Sequence, residues 1–140
     1  HLVPFGAANI VRPGASLTLV TYSRMVHYAV EAAQTLAKEG IEVEIIDLRT
    51  LNPLDMDTVL ASVRKTRRAI VLNEAHRTAG FCAELAARIT EEAFDVLEAP
   101  VVRVTAKDVP VPATLLEKLS IPSPQDICAK ARALMQRSRK

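Results

Sequence analysis

At 140 residues, with 49% apolar and 24% charged side chains, the chain has the length and composition of one domain with a real core. Eighteen Lys and Arg against 16 acids leave a net charge of +2, and aromatics make up 4% with no Trp, so neither charge nor base stacking argues for nucleic acid. No apolar run approaches the roughly 18 residues of a membrane span. The chain opens His1-Leu-Val-Pro without a Met and reads as a piece of a longer protein, so a native targeting segment would lie out of view.

Residues 1–14 read as a lead-in segment and edge strand, and 15–140 as an α/β domain. Ala8 to Val11 is the candidate edge strand, closed by the turn signal Arg12-Pro13-Gly14. Leu17 to Tyr22 is a near-continuous apolar and β-branched run, the pattern of a strand covered on both faces. Ser23 is the expected cap of the helix that follows, whose stripe is Met25, Val26, Ala29, Val30, Ala33, Leu36 and Ala37. Gly40 is its expected C′ stop.

Ile41 to Leu48 is the next strand. Pro53 pushes Asn52 out of helix, Asp55 is placed to cap a short helix, and Leu54 with Val59 can staple it. Val59, Leu60 and Val63 are its inward face. Arg64, Lys65, Arg67 and Arg68 fall in and after the last turn, where they complement the helix dipole on a solvated face.

Ala69 to Asn73 has the length of a buried strand. Glu74 to Gly80 is a polar turn, and Leu85, Ala86, Ile89 and Ala93 then recur at helical spacing, with Glu84 and Arg88 as an i,i+4 pair. Val101 to Thr105 is a further strand after Pro100. Lys107 to Ala113 holds Pro110 and Pro112 and should be extended and stiff. Leu115 to Leu119 reads as one helical turn. Ser123-Pro-Gln-Asp126 is a strong helix start, with Ile127, Ala131, Leu134 and Met135 as the buried stripe and a basic, fraying end at Gln136 to Lys140. Cys82 and Cys128 fall in predicted helices without metal-ligand spacing and read as buried thiols of a reducing cytoplasm or organelle matrix.

This alternation predicts a mostly parallel sheet with helices on both faces and right-handed crossovers. In such sheets ligands and partners meet the loops beyond the carboxyl ends of the strands, which makes Glu74 to Gly80 the loop of interest. The usual devices do not appear there. The turn Thr21-Tyr-Ser-Arg-Met-Val carries no glycine fingerprint, the whole chain has 4 glycines, and neither a P-loop nor a G-x-S-x-G elbow occurs. The first parallel strand ends without the acids of a phosphoacceptor. Ser23 could serve as a nucleophile with His76 as base, but a serine at a helix start is first a cap. His76, between Glu74 and Arg77, reads as an exposed, partner-facing histidine. The residues alone therefore describe an α/β domain with no self-contained active site. A ligand-binding module using the crevice near Ser23 and His76 is the alternative.

The same loop carries a family resemblance. Leu72-Asn-Glu-Ala-His-Arg-Thr-Ala-Gly-Phe-Cys-Ala-Glu-Leu-Ala-Ala-Arg-Ile89 resembles the C-terminal domain of the beta subunit of 2-oxo acid dehydrogenase decarboxylating components, the pyruvate, branched-chain and acetoin group. Ile46-Asp-Leu-Arg-Thr-Leu-Asn-Pro-Leu-Asp55, Ser62-Val-Arg-Lys-Thr66, Leu97-Glu-Ala-Pro-Val-Val-Arg-Val104, Asp108-Val-Pro-Val-Pro112 and Leu116-Glu117 match in order, so the likeness covers about residues 5 to 135. It implies a transketolase C-terminal-type fold: three layers, α/β/α, around a five-stranded mostly parallel sheet whose first strand is an antiparallel edge. The parent enzyme would decarboxylate a 2-oxo acid oxidatively and acylate a lipoyl group. Its thiamine diphosphate and magnesium would sit between the alpha subunit and the beta subunit's N-terminal domain, leaving no catalytic, cofactor-binding or metal residue here. The implied role is an interface and scaffold domain. Its partners would be the beta N-terminal domain, the alpha subunit, a second beta subunit and the lipoyl acyltransferase core, and the piece alone should self-associate. Glu74, His76, Arg77, Gly80, Phe81, Asp108, Pro110 and Pro112 are the interface candidates. A transketolase-type sugar enzyme is the neighbouring alternative within the fold. One departure stands out: where the family often has two glycines, this chain has Ala79-Gly80, tolerable if residue 79 is helical and strained if it needs positive φ.

Overall fold

The computed structural model describes residues 2–110 and 117–137. The elements run β1 (Asn9–Arg12), β2 (Leu17–Thr21), α1 (Met25–Ala37), β3 (Val43–Asp47), α2 (Met56–Thr66), β4 (Ala69–His76), α3 (Phe81–Ala93), β5 (Val102–Ala106), α4 (Glu117–Ser120) and α5 (Pro124–Met135). The five strands form one sheet in the order β1-β3-β2-β4-β5. β1 lies antiparallel on β3, and every other pair is parallel. The expected mixed sheet with an antiparallel first edge is therefore present.

Alternation along the strands sorts the core into two clusters. Leu17, Leu19, Ile45, Ile70 and Leu72 point to one face and are covered by Met25, Ala29, Leu36, Ile127, Ala131 and Leu134 of α1 and α5. Val20, Ile46, Ala69 and Val71 point to the other, under Val59, Val63, Leu85 and Ile89 of α2 and α3. Each of these large side chains contributes about 1.5–3 kcal/mol when buried. β2, in the centre, is buried at all five positions, including two threonines. Thr18 Oγ1 meets Ser62 Oγ at 2.6 Å and Thr66 Oγ1 at 2.7 Å, and Thr21 Oγ1 donates to the Leu72 carbonyl at 3.0 Å. Paired in this way, the hydroxyls escape the desolvation cost of an unmet polar group. Cys82 and Cys128 are free and buried, and burial pushes the Cys82 thiol up to about 12.

Helix ends follow the sequence signals where those signals are local. Asp55 caps α2, accepting from Thr58 N at 3.0 Å. Ser123 and Asp126 form a full capping box on α5 with Pro124 in its first turn. Gly40, at φ +79, closes α1: its N–H reaches the Ala37 carbonyl at 3.0 Å and the Ile41 N–H the Leu36 carbonyl at 3.1 Å, the bond pair of a Schellman motif.

Four expectations need correction. Ser23 does not cap α1. It sits at φ +58, the helix starts at Met25 after Arg24, and no side chain bonds that end. The chain turns from β2 into α1 within three residues, and left-handed backbone at Ser23 makes that turn. β4 runs on past Asn73 to His76, because β5 pairs with it as far as His76–Ala106 through a register shift after Leu72. The basic cluster after α2 is ion-paired rather than merely solvated: Lys65 meets the buried Glu44, Arg64 meets Asp95, and Arg67 and Arg68 share Glu98. Burial pushes the Glu44 carboxyl up, but bonds from Lys65, Ser62 and Gly14 outweigh it and hold it low. Arg88 pairs with Glu92, one turn on, rather than with Glu84. The predicted turn at Leu115 to Leu119 is seen as Glu117–Ser120; Leu115, Leu116 and Pro112 lie outside the described residues.

Candidate interface loops at the carboxyl end of the sheet

The crossover from β3 through α2 to β4 passes over β2, so the winding reverses between β2 and β4. The loops after these strands, and after β5 beside them, meet at one end of the sheet. At the reversal, Asn73 is the last buried residue of β4 and its Nδ2 donates to the Tyr22 hydroxyl at 3.2 Å, while its Oδ1 has no hydrogen-bond partner among the described residues. The Tyr22 ring packs edge-on against Phe81, with centroids 6.2 Å apart and planes at 81°. Burial is the main cause of the raised Tyr22 hydroxyl pKa. One step further out, Arg24 Nε donates to Glu74 Oε2 at 2.9 Å, and the same pair forms an ion pair.

The loop after β4 is tied to the loop after β5 by side chains. His76 Nε2 meets the Val109 carbonyl at 2.8 Å. Asp108 accepts the Thr78 N–H at 2.9 Å on one oxygen and the Thr78 hydroxyl at 2.7 Å on the other. The Thr78 N–H and hydroxyl bonds are the main causes that hold the Asp108 carboxyl below its ordinary range, with His76 adding a small attraction. Arg77 Nη1 donates to the Arg103 carbonyl and Arg103 Nη1 to the Arg77 carbonyl, both at 3.2 Å. Gly80 then starts α3 with its Cα so close to the preceding turn that a Cβ would stand 2.2 Å from the His76 carbonyl oxygen. Just before it, Ala79 holds φ +58. The methyl that the family departure raised therefore does sit in the strained, left-handed case.

The interface candidates fall together at this end. His76, Arg77, Asp108 and Pro110 are exposed, Glu74, Gly80 and Phe81 are half-buried, and Pro112 lies outside the described residues. Ser23 and His76 are not joined as a nucleophile and base: Ser23 lies in its tight turn, and His76 spends Nε2 on Val109. Sequence reading missed the Asn73–Tyr22 and Thr78–Asp108 ties. Both link residues tens of positions apart, and the sole local hint was a polar residue at each strand end.

A family model described as transketolase, C-terminal domain, matches residues 6–127. The chain belongs to the transketolase C-terminal domain family. It is 50% identical over 97% of its length to the beta subunit of acetoin:2,6-dichlorophenolindophenol oxidoreductase of Cupriavidus necator, covering 40% of that protein. It is 45% identical over 98% of its length to a mitochondrial pyruvate dehydrogenase E1 beta subunit of Arabidopsis thaliana, covering 38% of it. The Bacillus subtilis pyruvate dehydrogenase E1 beta subunit matches at 43% over 97% of this chain and 42% of that protein. The chain thus spans about two fifths of the curated relatives it matches. Among solved structures, an inactive beta4 tetramer of a split-gene transketolase superposes with a TM-score of 0.83, at 28% identity over 98% of this chain and 44% of that one.

Among the described residues, no group of three or more His, Cys, Asp or Glu converges on a point that could hold a metal ion. The two acids at the loop end are committed, Glu74 to Arg24 and Asp108 to Thr78. Among the described residues no helix is long and apolar enough to cross a membrane.

Proposed function

We propose that this chain is the C-terminal interface and scaffold domain, residues 15–140 with 1–14 as its lead-in, of the beta subunit of a thiamine diphosphate-dependent 2-oxo acid dehydrogenase or acetoin enzyme. The observation that carries this reading is 50% identity to the acetoin enzyme's beta subunit across 97% of the chain. The closer likeness to this group than to the split-gene transketolase, at 28%, favours it over a sugar-transferring parent.

In this reading the parent decarboxylates its oxo substrate with thiamine diphosphate and magnesium, and passes the acyl group to a lipoyl carrier. The cofactors are held by the alpha subunit and the beta N-terminal domain. This domain serves by shape. Its tied loops, with Glu74, His76, Arg77, Gly80, Phe81, Asp108 and Pro110, present a fixed surface to the beta N-terminal domain, the alpha subunit and the second beta subunit, and the domain helps dock the assembly on the acyltransferase core. The setting is a bacterial cytoplasm or an organelle matrix. Support comes from large apolar side chains left in solvent: Phe5 is 88% exposed, Leu119 71% and Phe94 60%, with Val109 at the loop end also open.

Sedimentation velocity over a wide concentration range tests this. The chain alone should self-associate through these surfaces, and Val109→Asp should weaken that association. A chain that stays strictly monomeric would refute the reading.

A further inference from the structure

A second feature borders the tied loops, along the free edge of the sheet. β5 is the outer strand, and between it, the loop that follows and the start of α5 lies a pocket of about 620 Å³. Arg77, Arg103, Lys107 and Lys130 line it, facing two carboxylates, Asp108 and Asp126. Both carboxylates already have partners: Asp108 holds Thr78, and Asp126 accepts the N–H and hydroxyl of Ser123 in the capping box. Lys107 and Lys130 add a modest attraction to Asp126. Among the described residues, no ion pair joins any of the four cations to a carboxylate.

Cations on an edge strand commonly guard it against pairing with another sheet. Flexible lysines would be enough for that. Here Arg77 and Arg103 are instead each anchored, one guanidinium N–H donating to the other residue's backbone carbonyl. Both guanidiniums keep further donors, and both residues line the concave space. Val104, Leu119, Ile121 and Pro122 supply apolar wall. The volume lies in the range of small-molecule sites, and the mix of apolar wall with a few convergent charges is the usual composition of one. A backbone cradle of glycines is not needed where guanidiniums bind phosphate oxygens in a forked geometry.

We propose that this pocket binds a small polyanion with an apolar or heterocyclic body, the class of nucleoside polyphosphates. Arg77 and Arg103 hold the phosphate oxygens, Lys107 and Lys130 neutralise the remaining charge, and the Val104–Leu119–Ile121 wall takes the body. The site lies outside the chemistry of the parent enzyme and would let a nucleotide act on the domain that shapes the assembly.

Isothermal titration with ADP, inorganic pyrophosphate and a polyglutamate peptide tests the assignment. ADP should bind saturably at one site and more tightly than pyrophosphate. Arg103→Gln and Lys130→Gln should each weaken ADP by about tenfold or more, the loss of one charge-assisted bond or charge partner. Lys130 is exposed on α5 and forms no ion pair among the described residues, so Lys130→Gln should keep the thermal midpoint of the unsubstituted chain. Lys38→Gln, on the exposed end of α1, should leave binding unchanged. Three results overturn the proposal: no saturable ADP binding at millimolar concentration, equal weakening by Lys38→Gln, or binding of polyglutamate without ADP.

Discussion

The Ala79-Gly80 dipeptide offers the sharpest test of the loop geometry. Ala79 is held at φ +58, where its Cβ crowds the following carbonyl. That conformation costs a non-glycine residue about 1–2 kcal/mol. Ala79→Gly removes the strain but loosens the unfolded chain, which gives back about 0.4–1 kcal/mol. The net expectation is a gain of about 0.5–1 kcal/mol, which for a chain of this length is a rise of about 2–4 °C in thermal midpoint. Gly80 is the opposite case. Its φ of −77 suits any residue, so no backbone strain is at issue. What forbids a side chain is the His76 carbonyl oxygen, 2.2 Å from where a Cβ would be. Gly80→Ala must push that turn aside and should cost about 1–3 kcal/mol, the usual penalty for forced overpacking. Urea melts of both variants, read for a shifted midpoint at constant slope, decide the matter. The reasoning fails if Ala79→Gly destabilises the chain, or if Gly80→Ala leaves the midpoint where it was.

Two further outcomes follow from single carboxylates. Asp55→Ala should cost about 1–2 kcal/mol in the same melts, toward the upper end for a lost cap, because Asp55 also accepts the Ala8 N–H at 2.9 Å and the Thr58 hydroxyl at 2.7 Å; an unchanged midpoint would refute the capping role. Asp108 has its pKa lowered in the folded chain, so its contribution is present above the ordinary aspartate value of about 3.9 and fades as pH falls through the lower folded value. The stability gap between wild type and Asp108→Asn should therefore be constant near neutrality and shrink only below about pH 4; a gap that already closes between pH 6 and pH 5 would show that the Asp108 carboxylate does not govern this tie.

Much of the fold was legible because its signals are local. The capping box Ser123-Pro-Gln-Asp126, the Asp55 cap and the Gly40 stop each need one turn of chain to declare themselves, and the structure places all three as expected. Apolar periodicity likewise marked the inner faces of the long helices and strands. The misses come from neighbours distant in sequence. β4 reaches His76 because β5 pairs with it there, and nothing between Ala69 and His76 announces a partner at Ala106. Ser23 looked like a cap because serine so often is one. Its actual duty, a left-handed step between a central strand and its helix, depends on how closely β2 and α1 approach. The basic residues after α2 were assigned to solvent, yet Lys65 is the counter-charge of Glu44, a carboxylate buried between the strands and α2. The Ala79 question could be posed from sequence but not answered, since the same two letters fit a helical or a left-handed residue.

The way polar groups are spent separates the two regions of this surface. A site that does chemistry keeps at least one reactive group uncommitted, or aimed at where substrate will lie. At the carboxyl end of the sheet the reverse holds: Glu74 is bound to Arg24, His76 to Val109, Asp108 to Thr78, and Tyr22 to Asn73. Those bonds join the loops after β2, β4 and β5 into one rigid rim, which suits a surface that other chains must find in a single shape. Among the described residues at this end, the buried polar side-chain atom left unmet is the Asn73 Oδ1, behind the rim rather than open to a ligand. Along the β5 edge the balance differs: among the described residues, Arg77 and Arg103 bond to backbone carbonyls and form no ion pair with a carboxylate. Arg77 stands in both regions, two residues from Ala79 and across from Arg103. A ligand that drew the two guanidiniums together would therefore pull on the same loop whose geometry Ala79 and Gly80 fix, which gives an anion at the edge a direct mechanical path to the rim.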